Sequence, residues 1–383
     1  MGIPPWPVIA WPPQWRRPDA YLTGFGTTDR GYPPDVPNRL PTPRGHVSDA
    51  VIEALRGGRV ADLQALAIGR IEDPLVDDDL HLALHCLYGL HHDGFVGVDD
   101  GLEWEPGLVA LRRDLERPFV DALRWEQPPR RAIPTAEEVP TTLKTVIASA
   151  AGAPSPSRHL AETGTSGQLR EMLIHRSIYQ RKEADAHTWG IPRLRGEAKS
   201  AMVLIQADEY GQGEPGRSHA ELFGVTMDRL GLDPTPGAYI DLVPGVTLAT
   251  DNLVTMFGLH RRLRGALVGH LAVFEMTSVV PMARYASAIR RLTGDEVAAE
   301  FYDVHVAADA VHEVVAAERL AAGAVRDEPG LASDVLFGAG AVLAAEARLA
   351  CHMVGAWEAG RSSLRAPRMA DAAIPAAGLR LAG

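Results

Sequence analysis

From about Val47 onward, apolar residues recur at three- and four-residue spacing in run after run, and convincing strand alternation is hard to find. That pattern predicts an all-α chain, and no internal repeat interrupts it. The runs are DAVIEALRGG, where Ser48 is expected to cap, then ADLQALAIGRI, DDDLHLALHCLYGLHH and PGLVALRRDLERPFVDALRW, with EEVPTTLKTVIASAAGAPSPS closing this part. Longer runs follow, among them SGQLREMLIHRSIYQRKEADAH and NLVTMFGLHRRLRGALVGHLAVFEMTSVV, each read as one helix. Residues 1–45 are rich in Pro, Gly and Trp and show no helical period. They read as an extended arm that docks through Trp6, Trp11 and Trp15. The expected organisation is an arm over 1–45, an N-terminal helical part over 46–157, a core over 158–365 and a loosely held tail over 366–383.

Length and composition narrow the function. A chain of 383 residues with 46% hydrophobic and 23% charged residues reads as an ordinary soluble globular protein. A net charge of −11 disfavours nucleic acid or an anionic membrane as the main partner. The two cysteines, Cys86 and Cys351, form no CxxC, which leaves a disulfide framework and a cysteine-ligated cluster unsupported. Both are expected to be buried small hydrophobes. A reducing cytoplasm fits, and the N-terminus shows no signal-peptide pattern. The most apolar stretch, 265–283, contains His270 and Glu275 and reads as a buried core helix, not a membrane span.

Three local signals carry chemistry. His305, Asp309 and His312 stand at i, i+4 and i+7, within about 60° on one helix face. Their neighbours Val304, Ala308 and Val311 are apolar, and burying three polar groups together costs several kcal/mol unless something binds them. A divalent metal would bind them; the plainer alternative is a solvated stripe or core histidines bonded to Asp309. Glu209 ends an apolar helix, where the dipole disfavours a carboxylate without a cationic partner. The glycines after it break the helix, and His219 sits in the first turns of the next, so the two can converge. The same glycines spell a nominal dinucleotide fingerprint, which is rejected because no strand precedes it and Pro215 disturbs the turn. Glu275 lies inside HLAVFEMTSVV and must be paired, protonated or a ligand. Glu183 sits on a charged face, where a salt bridge is the default reading. Seven N/O ligands exceed what one ion takes and suit two, with iron or manganese favoured over zinc. Neither HExxH nor the Glu-x-x-His of ferritin-type sites occurs.

The order and spacing resemble those of the haem-oxygenase-like di-iron oxidases, a family of iron-containing redox enzymes, in their actinobacterial branch. The resemblance spans about residues 80–365. It is carried by Glu183, then Glu209 and His219 ten apart, then Glu275, then His305, Asp309 and His312, and by the segments YQRKEADAHTWGIPRL and ADEYGQGEPGRSHAELF. It implies a seven-helix core related to haem oxygenase but without haem. It also implies two irons on those seven residues, dioxygen as co-substrate, an external reductant and an electron-donor partner. The expected chemistry is N-oxygenation of a small amine or heteroaromatic amine in secondary metabolism. The alternatives are oxidative C–C cleavage, decarboxylation or desaturation of an amino or fatty acid, and, from another class, a non-catalytic iron- or haem-binding protein. A homodimer is expected.

Arg261, Arg262 and Arg264 offer an anchor for a substrate carboxylate or phosphate, or are surface charges. His81, His85, His91 and His92 raise a second metal site as the lesser reading. His175, His187, His260, His270 and His352 are expected to be structural or solvated.

Overall fold

A computed structural model of the chain describes residues 38–366, apart from residue 67 and residues 128–132. Nearly all of the expected arm (1–37) and tail (367–383), with Trp6, Trp11 and Trp15, lies outside the described residues. Among the described residues every regular element is a helix, as the apolar spacing predicts. In chain order they are α1 (His46–Leu55), α2 (Asp78–Gly89), α3 (Pro106–Trp125), α4 (Val139–Ser149), α5 (Pro156–Glu162), α6 (Ser166–Gln180), α7 (Asp185–Thr188) and α8 (Gly196–Glu209). There follow α9 (His219–Arg229), α10 (Gly245–Leu259), α11 (Arg264–Thr277), α12 (Val279–Thr293), α13 (Glu296–Val314), α14 (Ala322–Asp327) and α15 (Ala332–Glu358). Between α13 and α14 the chain continues as a wider π-turn, Val315–Ala321.

The ends of these helices follow ordinary side-chain chemistry. Asp295 accepts from the Ala298 N–H at 3.0 Å and starts α13. Ser218 and Glu221 form a capping box at the start of α9. Gly294, in the left-handed region, ends α12. Three expectations about ends fail. The run expected as one helix from Ser166 to His187 stops at Gln180, and a turn that carries Glu183 leads into α7. Helix α1 begins at His46 rather than after Ser48, whose hydroxyl instead accepts from the Arg44 N–H at 2.9 Å. The run expected as one helix from Asn252 to Val280 breaks at His260, which is extended, so α10 and α11 point differently.

Side chains from α1 through α15 join one apolar cluster. Its tightest seam is between α11 and α15. A Cβ added at Gly269 would overlap the Val335 carbonyl oxygen, and one at Gly338 would overlap the Ala266 carbonyl oxygen. Each glycine therefore sits against the other helix's backbone, and α11, which carries Glu275, is fixed along α15. Helix α13 lies between α12 and α9, and the π-turn after it packs on α8 and α11. These neighbours bring the ends of α6, α8, α9, α11 and α13 to one place. Helix α15 has the length and apolarity of a membrane span, and half of its apolar stretch faces the protein interior. Cys86 is buried as expected; Cys351 is exposed, because it lies on the outer face of α15.

Candidate metal centre

Glycine 211 sets the first part of the site. Its φ is +62°, and any side chain there would collide with the backbone of Arg217 and Ser218. The chain after α8 folds back on itself, so Glu209 at the end of α8 meets His219 at the start of α9. Their Oε2 and Nδ1 atoms are 2.8 Å apart, and both residues are buried. The Arg181 guanidinium donates to the Ala220 carbonyl, which ties the end of α6 to the same place. Lys182 reaches the buried Asp251 of α10 at 3.1 Å and fixes the turn that carries Glu183. Burial works against the Asp251 charge, but Lys182 and then His85 hold its carboxyl down at about 2.

From α13, His305 presents Nε2 to Glu183 Oε2 at 3.5 Å. One turn on, Asp309 is buried beside His312, whose Nδ1 lies 3.2 Å from Glu275 Oε2 and 3.7 Å from Asp309 Oδ1. The arrangement resolves into two groups of donor atoms, each within 4.8 Å of one another. One is Glu183, Glu209, His219 and His305; the other is Glu209, Glu275 and His312. Glu209 belongs to both. All seven residues singled out in the sequence therefore lie together, with Asp309 adjoining the second group.

The donor atoms fit a cation. Glu183 Oε2, Glu209 Oε2, Glu275 Oε2, His219 Nδ1, His305 Nε2 and His312 Nδ1 are all buried, and none makes a hydrogen bond of good geometry. They face one another at close range without the directionality of hydrogen bonds. Unpaired buried lone pairs cost about 1–3 kcal/mol each, so six in one place describe a site built to hold positive charge. The opposite ring nitrogens are occupied. His305 Nδ1 donates to the Phe301 carbonyl at 2.8 Å, and His312 Nε2 donates to Asp208 Oδ2 at 2.8 Å. Those bonds fix each tautomer and leave the inward nitrogen free for a metal. The Ser278 hydroxyl donates to Asp309 Oδ2 at 2.5 Å and orients that carboxylate. Asp208, Ser278 and the Phe301 carbonyl carry no sequence signal, since each works across elements or through backbone.

Protons stand in for the cation when none is bound. Burial and then the neighbouring carboxylates push Glu275 up to about 8. Burial opposes the charge on His305 and His312, but Glu183 for the first and Asp208 for the second prevail, and the two rings rise to about 10 and about 12. Burial likewise opposes the Glu209 charge, yet His219 holds it at about 2. The folded metal-free protein thus binds more protons than the unfolded chain above pH 6.5. The stability these rings contribute is complete below 6.5, their ordinary value, and is lost as pH rises through about 10 and about 12. The buried neutral histidines His81 and His187, lowered by burial to about 4, act with the opposite sign, but only below 6.5. Thermal scans of metal-free protein should show the melting temperature falling from pH 6.5 to 10, while protein with excess ferrous iron should lose less or gain. A metal-free melting temperature that is flat or rises over that range would show that protons do not hold the site together.

A cavity of about 380 Å³ opens from this cluster. Glu183, Glu209, Glu275, His305 and Asp309 form one end of its lining. Arg261, Arg262 and Arg264 do not line it: the first two are exposed, and Arg264 pairs with Glu328. The anchor expected from those three is not there. Among the other histidines, His175 bonds Thr247 at 2.7 Å and Ser363 at 3.0 Å, His187 bonds His270 at 3.1 Å, and His352 bonds the Ser363 carbonyl at 2.7 Å. His81 bonds the Pro74 carbonyl at 2.9 Å, His91 bonds Glu103 at 2.9 Å, and His260 bonds Glu116 at 2.7 Å.

Residues 170–347, which contain all seven residues of the cluster, match a family described as iron-containing redox enzymes. That match covers just under half of the chain. The match agrees with the haem-oxygenase-like helical fold expected from the resemblance, and the coarse expectation of an iron-dependent oxidoreductase follows from it. The chain is also 27% identical over 125 residues to a nitrosourea synthase of Streptomyces achromogenes subsp. streptozoticus. That alignment covers 33% of this chain and 26% of the relative, so the two share about a quarter of the relative's length.

Proposed function

We propose that this protein is a dioxygen-dependent oxygenase with two irons per chain, acting on the nitrogen of a small amine. The observation that carries the reading is the pair of donor groups that share Glu209, whose carboxylate would serve both irons. Glu183, His219 and His305 would hold one iron. Glu275, Asp309 and His312 would hold the other. When bound, such a pair supplies the reduction of dioxygen, which these side chains cannot perform alone, and an external donor replaces the electrons.

The protein's own part is positional and electrostatic. Glu183 enters from the turn after α6, Glu275 from α11 and Asp309 from α13, so with Glu209 four carboxylates would offset metal charge in the site. Asp208, the Phe301 carbonyl and Ser278 keep His312, His305 and Asp309 aimed inward. The acidic end of the cavity favours a neutral or cationic amine over a fatty acid. The nitrosourea synthase is named for a compound with an oxidised nitrogen, which supports N-oxygenation here over C–C cleavage.

The test loads purified protein anaerobically with ferrous iron, counts the metal, and adds 18-oxygen gas, a reductant and a panel of amino acids, guanidines, aromatic amines and fatty acids. Two irons per chain and a labelled oxygen on substrate nitrogen are expected. Aldehyde or alkene fragments without an N-oxygenated product would move the reading to C–C cleavage. A Soret band, or saturation at one iron, would sink it.

A further inference from the structure

The lining of the cavity also holds a charge pair outside the seven-residue cluster. Arg176 of α6 and Glu346 of α15 meet in a two-pronged ion pair, with Nη1–Oε1 at 2.9 Å and Nη2–Oε2 at 2.6 Å. Both line the cavity. Arg176, Tyr179 and Gln180 stand at i, i+3 and i+4 on α6, Glu183 follows in the turn after the helix, and all four line the cavity. Among the described residues of the lining Arg176 is the one arginine, and no lysine accompanies it.

Tyr302 gives a second, independent sign of a ligand. Its side chain is 1% exposed and lines the same cavity, and its hydroxyl has no hydrogen-bond partner. It lies close enough to both Arg176 and Glu183 to feel the charge of each. A buried tyrosine hydroxyl normally finds a partner. One that faces a cavity between a cation and a carboxylate is completed by what enters the cavity.

We propose that Arg176 and Glu346 form the head-group subsite for a zwitterion, so that the substrate is an α-amino acid whose side chain carries the nitrogen toward Glu183 and Glu209. The α-carboxylate lies against Arg176, whose fork matches it. The α-ammonium lies against Glu346. The pair presents opposite charges side by side, as the head of an amino acid does, and the inserted molecule exchanges one set of pairings for a complementary one. A decarboxylated amine would leave Arg176 without that partner, and a fatty acid would leave Glu346 facing no cation. This inference rests on the reading that the cavity is the substrate chamber of the oxidation.

The test is calorimetric titration of the full chain, both metal-free and loaded anaerobically with ferrous iron. The probes are L-arginine, agmatine, L-lysine and cadaverine. Each amino acid should bind more tightly than its decarboxylated counterpart. Arg176→Gln should weaken the amino acids by about 30-fold or more and abolish that preference. The exchange Arg176→Glu with Glu346→Arg restores a structural ion pair but inverts the head-group order, so it should recover thermal stability without recovering binding. If Arg176→Gln does not fold, Glu346→Gln and the exchange carry the test. Equal binding of arginine and agmatine, binding rescued by the exchange, or no binding of any probe would each overturn the subsite. Amino-acid binding through Arg176 with no N-oxygenated product would leave the subsite standing and sink the proposed reaction. Oxidation of a carboxylate-free amine, unchanged in Arg176→Gln, would do the reverse.

Discussion

On the proposed two-iron reading, Glu209→Ala will take iron binding from two per chain to near zero, and oxidase turnover will fall by about 10³-fold or more. Glu209 is the one side chain common to both donor groups among the described residues, so its loss takes a ligand from each. Glu183→Ala and His312→Ala each remove a ligand from one group only and should leave close to one iron. Asp208→Ala removes no donor atom. It frees the outer nitrogen of His312 and should weaken metal binding by about 10- to 100-fold. Iron analysis after desalting, with far-ultraviolet circular dichroism to show that the helices persist, reads all four. Two irons retained in Glu209→Ala would refute the shared-carboxylate assignment.

The second large effect is on the fold. Gly338→Val drives a branched side chain into the backbone of α11 at Ala266, which cannot rotate aside as a side chain could. The cost should be about 3 kcal/mol or more, read as a lower denaturant midpoint with an unchanged slope. Gly355→Ala, on the same helix with nothing near its added Cβ, should be neutral or stabilise by up to about 1 kcal/mol. If Gly338→Val unfolds within 1 kcal/mol of the parent, α11 and α15 are free to part, and the seam does not fix Glu275.

Much of this was legible before any coordinates. Helices announce themselves through apolar spacing, and His305, Asp309 and His312 share a face because a helix leaves them no other arrangement. Glu209 and His219 could be paired because glycines between them signal a reversal. The break at His260 was not legible. Gly258 stands two residues before it, but a lone glycine in an apolar run is weak punctuation, and the run resumes after Arg262, so local pattern and tertiary direction part company there. Asp208 and Ser278 were missed for a related reason. Their partners are 104 and 31 residues away, and nothing local distinguishes them from a helix-end acid and a linker serine. The basic anchor was sought in the densest arginine cluster, at 261–264. Solvent and Glu328 claim that cluster, while Arg176 lines the cavity, paired with Glu346.

The π-turn at Val315–Ala321 bears on how this protein can vary. A π-turn amounts to an extra residue accommodated within a continuous helix. It lets the stretch before it, with His305, Asp309 and His312, keep one angular phase while the stretch after it packs on α8 in another. Removing that residue would restore ordinary α-winding and turn the two stretches against each other by about 100°. All seven acidic and imidazole side chains would still be present, yet three would point elsewhere. The site is thus encoded in the spacing of a segment that contributes no ligand, and insertions or deletions there are as consequential as replacing a ligand.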